Sequence, residues 1–280
     1  MTPLSDKLIQ LKLDFMAREL DRVLTDAAAK SLSPADTLEW LSDLELEGRR
    51  VRSVERRFRL SKLQVRHGIE SFNFNHHKSR KQMKSKILHL LDLDFITQGT
   101  NIILIGNPGT GKTFLSKIIG WKACQANVRV LFTPAMQMLN QLVASQADHS
   151  LVRKLKTYTD PALLICDELG YLSLDQQTSN LFYQVISTRH AERRSTVITT
   201  NTIFSEWGNI LFNTTIAAAI ADRLVENSEV FLMGGPTWRN PKNSPTAPQS
   251  ARQDRRDQGR KPELPHQAVP TQQAHRSVRG

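Results

Sequence analysis

One eight-residue segment constrains the fold of this chain more than any other feature. Residues 106–113 read Gly-Asn-Pro-Gly-Thr-Gly-Lys-Thr, which matches the pattern Gly-x-x-x-x-Gly-Lys-Ser/Thr at every defined position. A strand-like apolar stretch at 101–105 precedes the segment, and a helical stretch at 114–125 follows it. In that context the glycines let backbone N–H groups surround phosphate oxygens, and the helix N-terminus adds partial positive charge. The segment therefore predicts a phosphate-binding loop between a strand and a helix.

The loop residues are expected to have distinct roles in binding a nucleoside triphosphate. Lys112 can reach the β- and γ-phosphates, while the Thr113 hydroxyl can ligate a magnesium ion. ATP and Mg²⁺ are therefore the expected ligands. The predicted nucleotide-binding residues are those of this segment and the one that follows it: Gly106, Asn107, Pro108, Gly109, Thr110, Gly111, Lys112, Thr113 and Phe114.

Two later strand-like runs end in residues that suit ATP hydrolysis. The run 163–166 is followed by Asp167, expected to hold the Mg²⁺ hydration shell, and by Glu168, expected to polarise the attacking water. A water-activating glutamate favours hydrolysis over phosphoryl transfer to a small acceptor. The run 196–200 ends at Asn201, which would orient the water if the two strands are neighbours. The predicted catalytic residues of these motifs are Lys112, Asp167, Glu168 and Asn201, and the predicted metal ligands are Thr113 and Asp167.

Five short apolar runs after residue 100 alternate with longer amphipathic stretches. Apolar strands separated by helices indicate a parallel sheet that is covered on both faces. The sequence therefore predicts an α/β fold at 71–240, with a parallel five-stranded sheet flanked by helices. The predicted strands are 102–105, 128–132, 163–166, 196–199 and 230–233.

The first 70 residues show helical rather than strand-like periodicity. Their apolar residues predict one amphipathic helix over residues 4–29. Ser33 and Pro34 then read as a helix cap and a first helical position. One helix is expected through Leu38, Leu41 and Leu44, and another in the arginine-rich stretch that follows. We therefore predict a small all-α domain at 1–70 that binds DNA or a partner, ahead of the α/β domain.

Composition narrows the class of protein. An apolar fraction of 39% is enough for a buried core, and no stretch reaches the roughly 20 apolar residues of a membrane span. The first residues lack a secretory pattern, and Cys124 and Cys166 lie among apolar neighbours, as buried reduced thiols do. These features predict a cytoplasmic protein. Residues 241–280 are rich in Pro, Gln, Arg and Ser without aromatics, which predicts a disordered basic tail.

The formal net charge of +11 is concentrated in two segments. Residues 1–48 carry a net charge of −5, residues 49–86 carry +11, residues 87–240 are neutral and residues 241–280 carry +5. A neutral body flanked by basic segments indicates a polyanionic partner, which in the cytoplasm is usually nucleic acid.

The arginine-rich stretch is the predicted contact with double-stranded DNA. Helical spacing would place arginines along one side and turn Val51, Val54 and Phe58 toward the core of the helical domain. An ordinary solvated helix face mixes charges of both signs, whereas Glu55 is the only acid within this stretch. Lysine and arginine side chains that bind DNA phosphates release counterions and do not distinguish one base sequence from another. The candidate DNA-binding residues are Arg49, Arg52, Arg56, Arg57, Arg59, Lys62 and Arg66.

The motifs in this order resemble those of the AAA+ ATPases, with Asn201 at the position called sensor 1. Segments 164–172, 193–201, 204–207, 219–224 and 234–239 are more closely similar to the IstB-type transposition helpers, relatives of the helicase loader DnaC. The resemblance spans roughly residues 5–240. It departs from the family pattern in reading Thr-Trp-Arg for Ser-Tyr-Arg and Thr-Thr-Asn for Thr-Ser-Asn, and each departure keeps the functional residue.

The resemblance implies an AAA+ fold, an ATP-dependent homo-oligomer, and DNA binding beside a partner transposase. By position, it implies that Arg223 is an arginine finger inserted into a neighbouring subunit's nucleotide site. It also implies that Arg239 is the sensor 2 arginine, which contacts the nucleotide of its own subunit.

These expectations describe an ATPase that assembles on DNA and assists a transposase. Three alternatives stay open at this point. A DnaC-like loader would grip a replicative helicase through the helical domain. A small-molecule kinase would need an acceptor pocket and a basic lid over the phosphates. A non-catalytic module would hold its nucleotide as a structural element.

Overall fold

The computed structural model describes residues 3–170 and 173–235. Three helices come first: α1 (Pro3–Gln10), α2 (Asp14–Ala29) and α3 (Pro34–Ser61). Three short helices follow: α4 (Lys78–Gln82), α5 (Lys84–His89) and α6 (Asp94–Gln98). The α/β part then runs through β1 (Asn101–Ile105), α7 (Lys112–Gln125), β2 (Val130–Pro134), α8 (Ala135–Ala147), α9 (Leu151–Thr159), β3 (Leu163–Leu169), α10 (Gln176–Ala191), β4 (Ser195–Thr200), α11 (Trp207–Ile210), α12 (Thr214–Val225) and β5 (Ser228–Leu232).

The five strands form one parallel sheet in the order β2-β3-β4-β1-β5. Because side chains alternate along a strand, Ile103 and Ile198 contribute to one hydrophobic cluster, while Ile102 and Val197 contribute to the other. Helices cover both clusters, so the predicted α/β fold with a parallel five-stranded sheet is confirmed.

One predicted strand began too early because its first residue belongs to a helix end. The amide of Val128 donates to the carbonyl of Ala123, and Asn127 between them has φ 64°. A left-handed residue followed by this bond is how many helices end. Strand β2 therefore starts at Val130 rather than at Val128.

The helical boundaries before residue 62 differ from those expected. The single helix predicted over 4–29 is wrong, because Lys12 has φ 60° and Leu13 donates back to Leu8, which closes α1 before α2 begins. Ser33 does cap α3, in a reciprocal capping box with Asp36. The two helices expected after it are one helix of 28 residues.

The second half of α3 packs on the α/β part rather than on the helical core. That core consists of Met16, Leu20, Val23 and Leu41. Val51 is 56% exposed, and Phe58 meets the Trp121 ring of α7 edge-on with 5.3 Å between centroids. The orientation predicted for Val51 and Phe58 is therefore wrong. The domain boundary near residue 70 stays a prediction, and α3 runs continuously from the helical core onto α7.

Neither cysteine takes part in a disulfide. Cys124 and Cys166 are both free and buried, as expected. Burial raises the pKa of the Cys166 thiol to about 12 and also raises the pKa of Cys124. Within the part of the chain that the structure describes, no helix is long and apolar enough to cross a bilayer.

Candidate nucleotide-binding site

The phosphate-binding loop joins β1 to α7 at the carboxyl edge of the sheet. Gly111 has φ +88°, a conformation that L side chains rarely adopt, and the next residue begins α7. A Cβ on Gly106 would lie 2.2 Å from the carbonyl oxygen of Met233, so no side chain fits there. The backbone thus requires glycine at both ends of the motif that the sequence singled out.

The Lys112 ammonium is folded over the loop. Its Nζ donates to the carbonyl of Gly106 at 2.6 Å and to that of Asn107 at 3.0 Å. A lysine on a flexible stem can exchange carbonyl partners for phosphate oxygens without moving its backbone. Its position therefore fits the predicted phosphate contact.

The two predicted metal ligands are in direct contact. The Thr113 hydroxyl donates to Oδ1 of Asp167 at 2.9 Å, and Asp167 is only 4% exposed. Hydroxyl and carboxylate oxygens are ligands that Mg²⁺ prefers, and this ion usually binds one or two protein carboxylates together with substrate phosphates. The described residues contain no group of three or more His, Cys, Asp or Glu that could hold a metal. The donor set fits Mg²⁺ bound with a nucleotide rather than a metal cage.

A bulge in β3 separates the two acidic side chains. Cys166 pairs with Ile198 and Leu169 pairs with Thr200, so β3 carries one residue more than β4 over this interval. Glu168 lies inside the bulge with φ 59° and is exposed, whereas Asp167 is buried. A left-handed glutamate costs about 1–3 kcal/mol, and such conformations concentrate at functional sites.

Thr199 is a site residue that the sequence analysis missed. Its hydroxyl donates to Oδ1 of Asp167 at 2.5 Å and accepts the backbone N–H of Glu168 at 2.9 Å. The side chain is fully buried. One hydroxyl on β4 therefore fixes both acidic residues of β3. The sequence feature that could have identified Thr199 is its position two residues before Asn201, on the strand that was expected to lie beside Asp167.

Asn201 directly follows β4, and β4 pairs with β3 as the prediction required. The amide of Gly106 donates to the carbonyl of Thr200 at 3.1 Å, which ties the start of the phosphate loop to the end of β4. Asn201 is exposed and its Oδ1 accepts the Thr202 hydroxyl at 3.2 Å. The neighbouring strand is confirmed, and the contact between Asn201 and the water stays a prediction.

Comparison of the sequence with known protein families shows which family this chain belongs to. The family model described as IstB-like ATP binding protein matches residues 6–246. The chain belongs to the IstB-like family. An ATP-binding protein named for insertion sequence IS5376 of Geobacillus stearothermophilus is 34% identical over 82% of this chain and 90% of that protein. One named for insertion sequence IS21 of Pseudomonas aeruginosa is 31% identical over 83% and 86%.

Two solved structures show the same fold. The DnaC helicase loader matches with a TM-score of 0.51 and 19% identity, over 64% of this chain and 99% of that chain. The replication initiator DnaA, bound to AMPPCP and single-stranded DNA, matches with a TM-score of 0.53 and 16% identity, over 62% and 52%. At such low identity the likeness concerns the fold alone, and it confirms the predicted P-loop AAA+ architecture of this IstB-like chain.

The roles of the two arginines predicted at subunit and nucleotide contacts stay predictions, and only Arg223 lies within the described residues. Arg223 of the IstB-like chain lies on α12, where its Nη1 donates to the carbonyl of Ala219 at 2.8 Å. Its guanidinium carbon lies 4.9 Å from the centre of the Tyr183 ring on α10. Arg239 lies outside the described residues, as does the tail from 241 to 280.

Four of the seven candidate DNA-binding residues take part in contacts within the chain. Arg49 pairs with Glu45 at 2.7 Å, and Arg52 pairs with Asp14 at 3.1 Å. Arg57 donates to Asn127. Arg66 pairs with Glu55 and lies over the rings of Phe58 and Trp121. The interpretation that only Glu55 opposes this charge was incomplete, because the preceding acidic segment supplies partners from α2 and from the first half of α3.

The other three candidates are Arg56, Arg59 and Lys62, all of them exposed. Within the described residues, none of the three forms an ion pair or a hydrogen bond through its side chain. They occupy the last turns of α3 and its cap, where Lys62 has φ 60°. Among the seven candidates, these three are therefore the ones whose side chains have no partner in the described residues, and their contact with DNA stays a prediction.

Arg80 of α4 also lies against the phosphate loop, although sequence analysis did not name it. Its guanidinium is almost fully buried and donates to the carbonyl of Thr110. Burial lowers its pKa. In the sequence, Arg80 is one of several positive charges at 78–86, and nothing in the pattern distinguishes it from its neighbours.

Proposed function

We propose that this IstB-like protein hydrolyses ATP and uses the reaction to control its assembly on double-stranded DNA, where it assists a transposase. The observation that carries the ATPase proposal is the arrangement at the end of β3. Thr113, Asp167 and Thr199 form one hydrogen-bonded group, and the bulge beside it presents Glu168 to solvent. A buried carboxylate for a metal next to an exposed carboxylate for water is what hydrolysis of a bound triphosphate needs.

Binding begins at the phosphate loop. Backbone N–H groups of the loop and the N-terminus of α7 would hold the phosphates, and Lys112 would transfer its Nζ from the Gly106 and Asn107 carbonyls to phosphate oxygens. Thr113 and Asp167 would hold Mg²⁺. When bound, this ion neutralises charge that develops on the phosphates.

Hydrolysis then requires an oriented water. Glu168 would accept a proton from the water as its oxygen attacks the γ-phosphorus in line, and ADP would leave with the bond electrons on its terminal oxygen. Asn201 would orient the water from the adjacent strand end. Arg223 would complete the site of a neighbouring subunit, which makes turnover depend on homo-oligomerisation, and Arg239 would contact the nucleotide of its own subunit.

The DNA and transposase parts of the proposal rest on other support. Arg56, Arg59 and Lys62 project from the end of α3 without acidic partners among the described residues, and such cations bind phosphates without sequence preference. Relatives of this chain carry names taken from insertion sequences, and this supports the proposal of a transposase partner.

Two substitutions test the ATPase proposal. Lys112→Ala should abolish ATP binding. Glu168→Gln should preserve binding and reduce phosphate release by about a hundredfold or more, because it removes the base alone. Both are measured by ATP titration and by phosphate release with and without duplex DNA, and no acceptor is added, which separates hydrolysis from kinase activity. Wild-type turnover by Glu168→Gln would refute the assigned mechanism.

A second candidate function is a DnaC-like helicase loader. The match of this fold to almost the whole of the DnaC chain favours it. Parallel capture experiments with a purified replicative helicase and with a purified insertion-sequence transposase distinguish the two. ATP-dependent retention of the helicase alone would favour the loader.

A further inference from the structure

Arg80 is a buried cation that contacts backbone carbonyls and an aromatic ring. It is 2% exposed, its Nη1 donates to the carbonyl of Asn73 at 3.2 Å, and its Nη2 donates to the carbonyl of Thr110. The guanidinium carbon lies 4.8 Å from the centre of the buried Phe72 ring. No carboxylate pairs with it among the described residues, and its Nε is the one buried side-chain nitrogen or oxygen there that has no hydrogen bond.

Such a group is costly to bury unless something else balances its charge. A structural arginine in an apolar protein interior is usually paired or has all its donors satisfied. Arg189 of this chain illustrates the satisfied case, because its guanidinium donates to backbone carbonyls at the end of α9, in the turn before β3 and at the start of β4. Arg80 instead retains an unpaired donor, and its neighbour is the loop that receives the most highly charged ligand of the protein.

The contact of Arg80 falls on the Thr110–Gly111 peptide. In a trans peptide the C=O and N–H groups point in opposite directions, so a cation on the Thr110 oxygen lies on the far side from the Gly111 N–H. The positive charge of the guanidinium beside the Thr110 oxygen polarises the peptide group, and this makes the Gly111 N–H a stronger hydrogen-bond donor. Gly111 also makes room for the arginine, because a Cβ there would lie 2.7 Å from Nη2.

The segment that carries Arg80 is itself anchored beside the loop. The Ser79 hydroxyl donates to the carbonyl of Gly234 at 3.2 Å, and Met233 just before it donates to the Ile105 carbonyl at 2.7 Å. Helix α4 is thereby held between the end of β5 and the phosphate loop. Arg80 is therefore held in place by packing of its helix on two sides and does not behave as a mobile surface side chain.

We propose that Arg80 is a positioning residue of the phosphate loop. Arg80 holds the Thr110–Gly111 peptide so that the peptide N–H donates to the nucleotide phosphates. The negative charge of those phosphates in turn balances the positive charge of Arg80. The inference deepens the proposed function and rests on its ATP binding. It adds a second arginine, on α4, to the one that the family resemblance assigns at 239.

The test uses the full chain with Arg80→Ala, and Lys81→Met is the matched control. Lys81 is the next residue of α4 and is exposed, so the control removes one positive charge near the loop without touching it. Affinities for ATP and ADP are measured by calorimetry, alone and with millimolar guanidinium ion. Melting of the nucleotide-free proteins is measured in parallel. We expect Arg80→Ala to bind ATP about tenfold to a hundredfold more weakly, and guanidinium to restore most of the affinity.

The result is decisive in each direction. Unchanged ATP affinity in Arg80→Ala overturns the inference. A loss of affinity that guanidinium fails to restore also overturns it, because that result indicates a structural defect, which a denaturant does not repair. If Arg80→Ala does not fold, Arg80→Lys decides: weaker ATP binding at an unchanged melting temperature supports the inference, and wild-type affinity overturns it. A wild-type protein that binds no ATP would instead refute the proposed function itself, and the inference with it.

Discussion

Replacement of Thr199 by valine should separate stability from catalysis at this site. Valine keeps the shape and the β-branched character that suit a buried strand but removes the hydroxyl. Asp167 then loses one charge-assisted hydrogen bond and Glu168 loses the acceptor of its N–H. Hydrogen bonds to charged groups contribute about 1.5–3 kcal/mol, and a buried N–H without an acceptor costs about 1–3 kcal/mol. The cost at the Glu168 N–H falls at the low end of its range, because this residue lies at the exposed edge of the sheet. We therefore expect the free energy of unfolding to fall by about 2–4 kcal/mol.

Catalysis should fall further than this loss of stability explains. Thr199 holds the bulge in which Glu168 adopts φ 59°, so its removal lets the carboxylate leave the position from which it can reach the water. Misplacement of a catalytic group by about 1 Å can cost about a hundredfold in rate. We expect kcat to fall about tenfold to a hundredfold, while the ATP affinity, which depends on the loop, changes much less. Phosphate release at saturating ATP and calorimetric titration measure the two quantities.

Thr196→Val is the matched control. Thr196 lies on the same strand, is equally buried, and accepts a hydrogen bond from Nε of Arg189 at 2.9 Å, at the end of the strand away from the site. It should lose comparable stability in urea unfolding and retain its kcat when folded. Equal kcat values for Thr199→Val and Thr196→Val would refute the argument that Thr199 positions Glu168.

The remaining predictions concern assembly and DNA. Arg223→Ala and Lys112→Ala should each be inactive, yet a mixture of the two should recover part of the activity, because one subunit supplies the finger and the other supplies the loop. Phosphate release by the mixture checks this, and no recovery would argue against a site shared between subunits. The double substitution Arg56→Glu with Arg59→Glu should abolish retention of duplex DNA at low salt and leave the melting temperature within about 1–2 °C, since both residues are exposed. Unchanged retention would show that DNA binds elsewhere.

Much of the fold and of the site could be predicted because each signal is local. The pattern at 106–113 fixes its own backbone, since Gly106 and Gly111 stand where a Cβ would collide or be strained. The run that ends at Asp167 and Glu168 needed only the parallel sheet to bring it beside the loop. Ser33 and Asp36 form a cap whose two residues lie three positions apart. In every case the residues that interact are close in sequence or lie together at the carboxyl edge of the parallel sheet.

The rest depended on contacts between distant segments. Nothing near Glu168 in the sequence reveals the bulge, because the extra residue is defined only against the register of β4. Phe58 was assigned to the wrong core because helical periodicity identifies an apolar face but not the surface that it meets. Arg80 was counted as one charge among many because its burial depends on Phe72 and on the loop together.

The same limitation changes what the arginine-rich stretch implies for binding. Counted by sequence, seven cations on phosphates would make log K fall with log salt at a slope of about −6 for each subunit. In the folded chain Arg49, Arg52 and Arg66 are already paired with carboxylates, and each must break that pair before it binds a phosphate. Arg57 donates to the side chain of Asn127. The remaining three cations, Arg56, Arg59 and Lys62, have no side-chain partner among the described residues and correspond to a slope of about −3. Under the proposed function, tight DNA binding at physiological salt would therefore require several subunits on one DNA, which the proposed ATP-dependent assembly would supply.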